Sequence, residues 1–190
     1  MAIGVAQDPA AARAAANIAF ADRQLPVDRN FADVPDKGAE VGSLPLYNLA
    51  VSDLARADFN NARHTGWRYV RIQHSSRIGD AIEADLADEP TIVAHSGGET
   101  AARLRDAGKQ ALEDISYDDP ADTDYSARIL RVPEIGIEAL CLWPRGVGAR
   151  PRFFGLPASQ AHLINEAFVD YAVRAATQYL ERLASMTGGG

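Results

Sequence analysis

A chain of 190 residues, 47% hydrophobic and 24% charged, is long enough for one domain with its own core and has the balance of a water-soluble globular protein. Its net charge of −7 repels phosphate backbones, so no nucleic-acid partner is expected. No apolar run approaches the ~18 residues that a membrane span needs, and Met1–Phe20 lacks the basic start and apolar stretch of a secretory signal.

The single cysteine, Cys141, rules out an intramolecular disulfide and reads as a buried, inert thiol. No membrane association is expected, and the expected location is the cytoplasm. Of the 19 basic residues only Lys37 and Lys109 are lysine, which with the abundant alanine reads as high-GC coding rather than functional selection.

Residues 1–7 are expected to fray. Asp8-Pro9 resembles an N-cap followed by proline at the first helical position. It opens an Ala-rich helix to about Gln24, with Ile18 and Phe20 its only large apolar members. So thin a stripe suits packing on the domain surface or on a second chain. Residues 25–45, punctuated by Pro26, Pro35, Gly38, Gly42 and Pro45, read as an extended arm that Val27, Phe31 and Val34 could pin down. Leu46–Ala50 reads as a short strand, Ser52–Arg56 as one or two helical turns, and Asp58–Thr65 as a polar turn.

Trp67–His74 alternates as a strand with Trp67, Tyr69 and Arg71 on one face. Ala81–Leu86 should pair antiparallel with it, with Ile82, Ala84 and Leu86 inward and Glu83 and Asp85 outward. Thr91–His95 is a short apolar strand that runs into Ser96-Gly97-Gly98-Glu99 and a helix from about Gly97 to Asp114. Gly108 weakens that helix by about 1 kcal/mol relative to alanine. An acidic loop follows over Tyr117–Asp124.

Tyr125–Trp143 is the most β-prone stretch and reads as a hairpin at the centre of the sheet. A two-residue turn needs positive φ at its first position, which proline forbids. A four-residue loop, Pro133–Gly136, avoids the conflict and pairs Val132 with Ile137 and Arg131 with Glu138. The second pair is an opposite-charge contact worth a few tenths of a kcal/mol to about 1. One face then carries Ala127, Ile129, Leu140 and Leu142; the other carries Leu130, Val132, Ile137, Ala139, Cys141 and Trp143. A strand apolar on both faces is normally covered on both. Helices are expected on one side, and a loop, a partner or a ligand on the other.

Arg152–Leu156 reads as a last strand, and Pro157–Ser159 opens a final helix to about Ala184, near ~38 Å long. Ser185–Gly190 should be disordered, and Ala184–Gly189 resembles the start of an expression tag. The fold class is α+β: a single domain with a mixed or mostly antiparallel sheet of about five to seven strands, a long C-terminal helix and a second helix packed on one face. The domain organisation is 1–45 helix and arm, 46–184 globular domain and 185–190 tail.

The strongest candidate for chemistry is the strand-to-helix loop His95–Thr100. A helix N-terminus can hold an anion, with Ser96, Gly97, Gly98 and Thr100 lining it and His95, Ser96 and Arg71 as candidate catalytic groups. The competing reading is a capping box, Ser96-x-x-Glu99, which needs no ligand. Trp67 and Tyr69 are candidate stacking residues. The histidines His64, His74, His95 and His162 have no metal-ligand spacing, so no metal and no cofactor is expected. The functional expectation is a non-catalytic binding or protein-interaction module, such as an accessory subunit or adaptor, that forms a homo-oligomer or a complex with a protein partner. The alternative is a small enzyme acting on an anionic substrate at His95–Thr100.

Overall fold

A computed structural model describes residues 3–5, 7–21, 40–72, 78–86, 90–96, 98–118, 123–146 and 149–187. In chain order the elements are β1 (Ile3–Val5), α1 (Ala10–Ala21), β2 (Glu40–Asn48), α2 (Val51–Leu54), β3 (Arg63–Ile72), β4 (Ile78–Asp85), β5 (Ile92–Ser96), α3 (Gly98–Asp118), β6 (Tyr125–Val132), β7 (Ile137–Pro144), β8 (Arg152–Gly155) and α4 (Asn165–Thr187). The fold is α+β with a mixed sheet of strand order β5-β4-β3-β2-β6-β7-β8, and β1 pairs with β6 off that path. The chain divides into two compact units: Met1–Val5 with Leu46–His64 and Arg103–Gly190, and Ala6–Pro45 with Thr65–Ala102.

In the first unit the β6–β7 hairpin has the expected register, with Val132 opposite Ile137 and Arg131 opposite Glu138. Pro133–Ile135 forms a 3-10 turn closed by Gly136 at φ +63°, a left-handed conformation that glycine adopts without penalty. One hairpin face buries Leu130, Val132, Ile137, Ala139 and Cys141 with Phe153 of β8. Phe168, Ala172 and Ala176 of α4, spaced four residues apart along one helix face, and Val51 and Leu54 of α2 complete this cluster. Phe153 and Phe168 stack at 5.8 Å.

The other face buries Ala127, Ile129, Leu140, Leu142 and Phe154 within the chain itself. Arg152, which alternation places on that face, pairs with Asp114 of α3 at 2.5 Å, and Asn165 Nδ2 donates to the same carboxylate at 2.9 Å. This face therefore needs no partner to cover it.

β6 gains two parallel partners on one edge. β1 lies along Tyr125–Ala127 and β2 along Ile129–Arg131. Ile3–Val5, expected to fray, is thus a strand; parallel pairing across so much sequence leaves no local signature. β2 also starts at Glu40, earlier than Leu46, and takes in the end of the expected arm. Val27, Phe31 and Val34 lie outside the described residues.

The open edge of β8 is satisfied locally. Phe153 N–H donates to Asn165 Oδ1 at 3.1 Å, and Gly155 N–H donates to the Leu163 carbonyl at 3.0 Å. A Cβ on Gly155 would collide with the Gln160 carbonyl oxygen, so glycine permits this close return. Gln160 is buried; its Nε2 donates to the Gly136 carbonyl at 2.9 Å and its Oε1 accepts from Glu138 N–H at 3.3 Å. Residues 157–163 are spent on this return, so α4 starts at Asn165 rather than near Ser159. It runs on to Thr187 through Ser185–Thr187, which the sequence reading left disordered; residues 181–187 are all exposed.

In the second unit β3, β4 and β5 form an antiparallel meander. α1 lies on it, with Ala12 and Ala16 wholly buried against Trp67, Tyr69, Ile82 and Ala84. The helix expected to be weakly held thus seats on its own sheet: small side chains allow close approach and the aromatic rings supply the bulk. Ile18 is 63% exposed and takes no part.

Asp8 grips Arg13 by two hydrogen bonds, Nε at 3.0 Å and Nη2 at 2.6 Å. Burial pushes the Asp8 carboxyl up, but the Arg13 guanidinium outweighs it and holds Asp8 below its usual value. The buried Tyr69 hydroxyl feels the Asp8 charge without reaching hydrogen-bond geometry, and its phenol is raised by burial first and by that charge second.

A carboxyl depressed in the folded state adds stability above its unfolded pKa of about 3.9, and that stability is lost as pH falls through the folded value. Asp8→Asn should therefore lower the urea midpoint at pH 7 and flatten its fall on the acid side of about pH 4. Parallel acid profiles for variant and wild type would count against the pair.

The sequence reading placed Glu83 outward and Leu86 inward; the reverse is found. Leu86 is exposed, while Glu83 is buried opposite Arg68, with the two joined at 2.5 Å and side-chain exposures of 7% and 3%. Alternation was read correctly, but polarity was a poor guide to which face is solvated once a cation stood across the ladder.

Candidate functional site

Most of the expected site at His95–Thr100 lies outside the described residues. His95 and Ser96 are the last two residues of β5, paired with Ile82 and Ala81, so the strand extends to Ser96. Their side chains, and Gly97 altogether, lie outside the described residues. Gly98 opens α3, Glu99 is exposed and Thr100 is half-buried. Trp67 and Tyr69, read as candidate stacking residues, belong instead to the core under α1. The backbone of Arg71 sits where the β3–β4 register shifts between Val70 and Ile72, which interrupts the alternation that placed it beside them. Its side chain lies outside the described residues, as does His74. His162 is exposed.

A different constellation stands out on the α4-side face of the first unit. It is a row of His64 at the start of β3, Tyr47 on β2, Arg128 on β6 and Trp143 on β7. Arg128 lies opposite Cys141, diagonally next to Trp143 and, across the other edge of β6, diagonally next to Tyr47. Its guanidinium carbon is 4.6 Å from the Tyr47 ring centroid and 4.6 Å from that of Trp143, so the cation lies over two aromatic rings. His64 stacks on Tyr47, with centroids 5.0 Å apart and planes 22° apart. Each cation–π contact is worth about 0.5–1 kcal/mol when exposed and ~2 when desolvated.

A guanidinium held over a ring can still donate from the N–H groups in its own plane. Among the described residues Arg128 forms no ion pair, and its Nε is a buried donor without an acceptor. The residue as a whole is half-buried. A half-buried guanidinium held over two rings, with no ion pair among the described residues, is a ready receptor for an oxyanion.

It is not acid–base machinery, since arginine keeps its proton at any ordinary pH. Cys141 beneath it is free and buried; burial pushes its thiol up to about 12, against a weaker opposing effect of the Arg128 charge. It is therefore an inert thiol.

Sequence reasoning missed Arg128, although the hairpin register alone puts it beside Trp143. Tyr47 had no such signal, because it arrives through the long-range parallel β2–β6 pairing. Among the described residues no cluster of His, Cys, Asp and Glu could hold a metal ion, and no helix is long and apolar enough to cross a membrane. Compared with protein-family models, characterised proteins and solved structures, the chain has no match in any of the three.

Proposed function

We propose that this protein is a non-catalytic binding module that holds an anionic partner through Arg128. The observation that carries this reading is the guanidinium over Tyr47 and Trp143, with an unsatisfied Nε and no carboxylate paired to it among the described residues. Trp, Tyr and Arg are also the residues most enriched where protein interfaces concentrate their binding energy. A group that cannot give up its proton favours binding over catalysis.

Anion binding to the folded state raises thermal stability, by about 1.4 kcal/mol at a tenfold excess over Kd. Thermal unfolding in a series of sodium salts at constant ionic strength should show an anion-dependent rise in Tm for wild type. Arg128→Gln should remove that dependence while keeping a cooperative transition. Identical anion dependence in the two proteins would exclude Arg128 as the receptor.

A further inference from the structure

We infer that the group held by Arg128 is a carboxylate rather than a phosphate; this inference rests on the binding role proposed above. The donors that Arg128 itself brings are few and planar. β6 is paired on one edge with β1 and β2 and on the other with β7, so its ladder uses the backbone N–H groups beside Arg128. Phosphate sites draw on several converging backbone N–H groups at helix N-termini or nests, whereas Tyr47, His64, Arg128 and Trp143 all lie on strands. One guanidinium fork supplies two parallel N–H donors, which match both oxygens of a carboxylate but only two of the oxygens of a phosphate.

Charge points the same way: a chain of net charge −7 repels a dianion more than a monoanion. The ring edges of Tyr47 and Trp143 offer apolar contact to whatever carries the carboxylate. That carrier is either a small free acid or an acidic side chain of a peptide, and the chemistry at the fork is the same.

The test is the Nε–Hε signal of Arg128 in a proton–nitrogen NMR spectrum of the full chain, visible because Nε is buried. The protein is titrated at constant ionic strength with sodium acetate, with acetyl-Gly-Glu-Gly-amide, with sodium phosphate and with sodium chloride. Both carboxylates should move the signal at least about threefold further than phosphate or chloride. A larger response to the peptide identifies an acidic peptide as the source, and equal responses identify the carboxylate group alone. Arg128→Lys keeps the charge without the fork, and in that variant the Trp143 indole signal should respond to acetate and phosphate alike.

Phosphate moving the wild-type signal as far as acetate would overturn the carboxylate assignment and leave the anion site standing. No movement with any salt would overturn both.

Discussion

Aspartate at Ile137 or at Leu140 is expected to abolish soluble folding. The two positions lie on opposite faces of β7; Ile137 is in the cluster under α4, and Leu140 sits opposite Ile129 next to Phe154. Both are buried. Each substitution loses the packing of a large aliphatic side chain, about 2–5 kcal/mol, and adds the penalty of an unpaired carboxylate in an apolar site. The total rivals the ~5–15 kcal/mol that holds an ordinary domain folded. Solubility after expression and far-ultraviolet circular dichroism provide the check. A soluble variant with the wild-type spectrum at either position would mean that the hairpin is not the centre of the first unit.

The second large effect belongs to Arg68 and Glu83. Removing one member of a buried pair takes the counter-charge from the other, and Glu83→Ala should cost about 3–5 kcal/mol. Replacing both members, with Arg68→Met and Glu83→Leu together, removes both charges from the buried site and should restore most of that loss. Urea unfolding of wild type, both single variants and the double variant gives the coupling energy. A double variant no more stable than Glu83→Ala alone would mean that the pair matters for the shape it fills rather than for its charge.

The hairpin was legible because its information is local. Pro133 excludes the short turns, Gly136 supplies the left-handed residue, and the register follows. The β3–β4 pairing was legible for the same reason, up to the register shift beyond Val70. What was not legible came from residues far apart in sequence. The parallel pairing of β1 and β2 with β6 brings Tyr47 to Arg128, and neither segment carries a mark of its partner. Side-chain size also misled: an Ala-rich helix was read as weakly held, whereas Ala12 and Ala16 are what allow α1 to sit close on Trp67 and Tyr69.

That reversal bears on assembly. The expectation of a partner rested on a loosely held first helix, an uncovered face of β7 and the arm. The helix is seated, both faces of β7 are buried, and residues 25–39 of the arm lie outside the described residues. The case for a partner now stands on the unpaired cation of Arg128.

Whether Arg128 is a receptor or only a strut between two rings is decided by a thermodynamic cycle. Unfolding free energies of wild type and Arg128→Gln are measured by urea titration at pH 7, each with and without sodium acetate at matched ionic strength. As a strut, Arg128 contributes only its stacking energy, of order 1–3 kcal/mol for two contacts, and acetate changes nothing further. As a receptor, it makes wild type more stable in acetate and leaves the variant unmoved. A coupling energy of about 1 kcal/mol or more between Arg128 and acetate is the predicted result, and equal acetate effects on the two proteins would contradict the account.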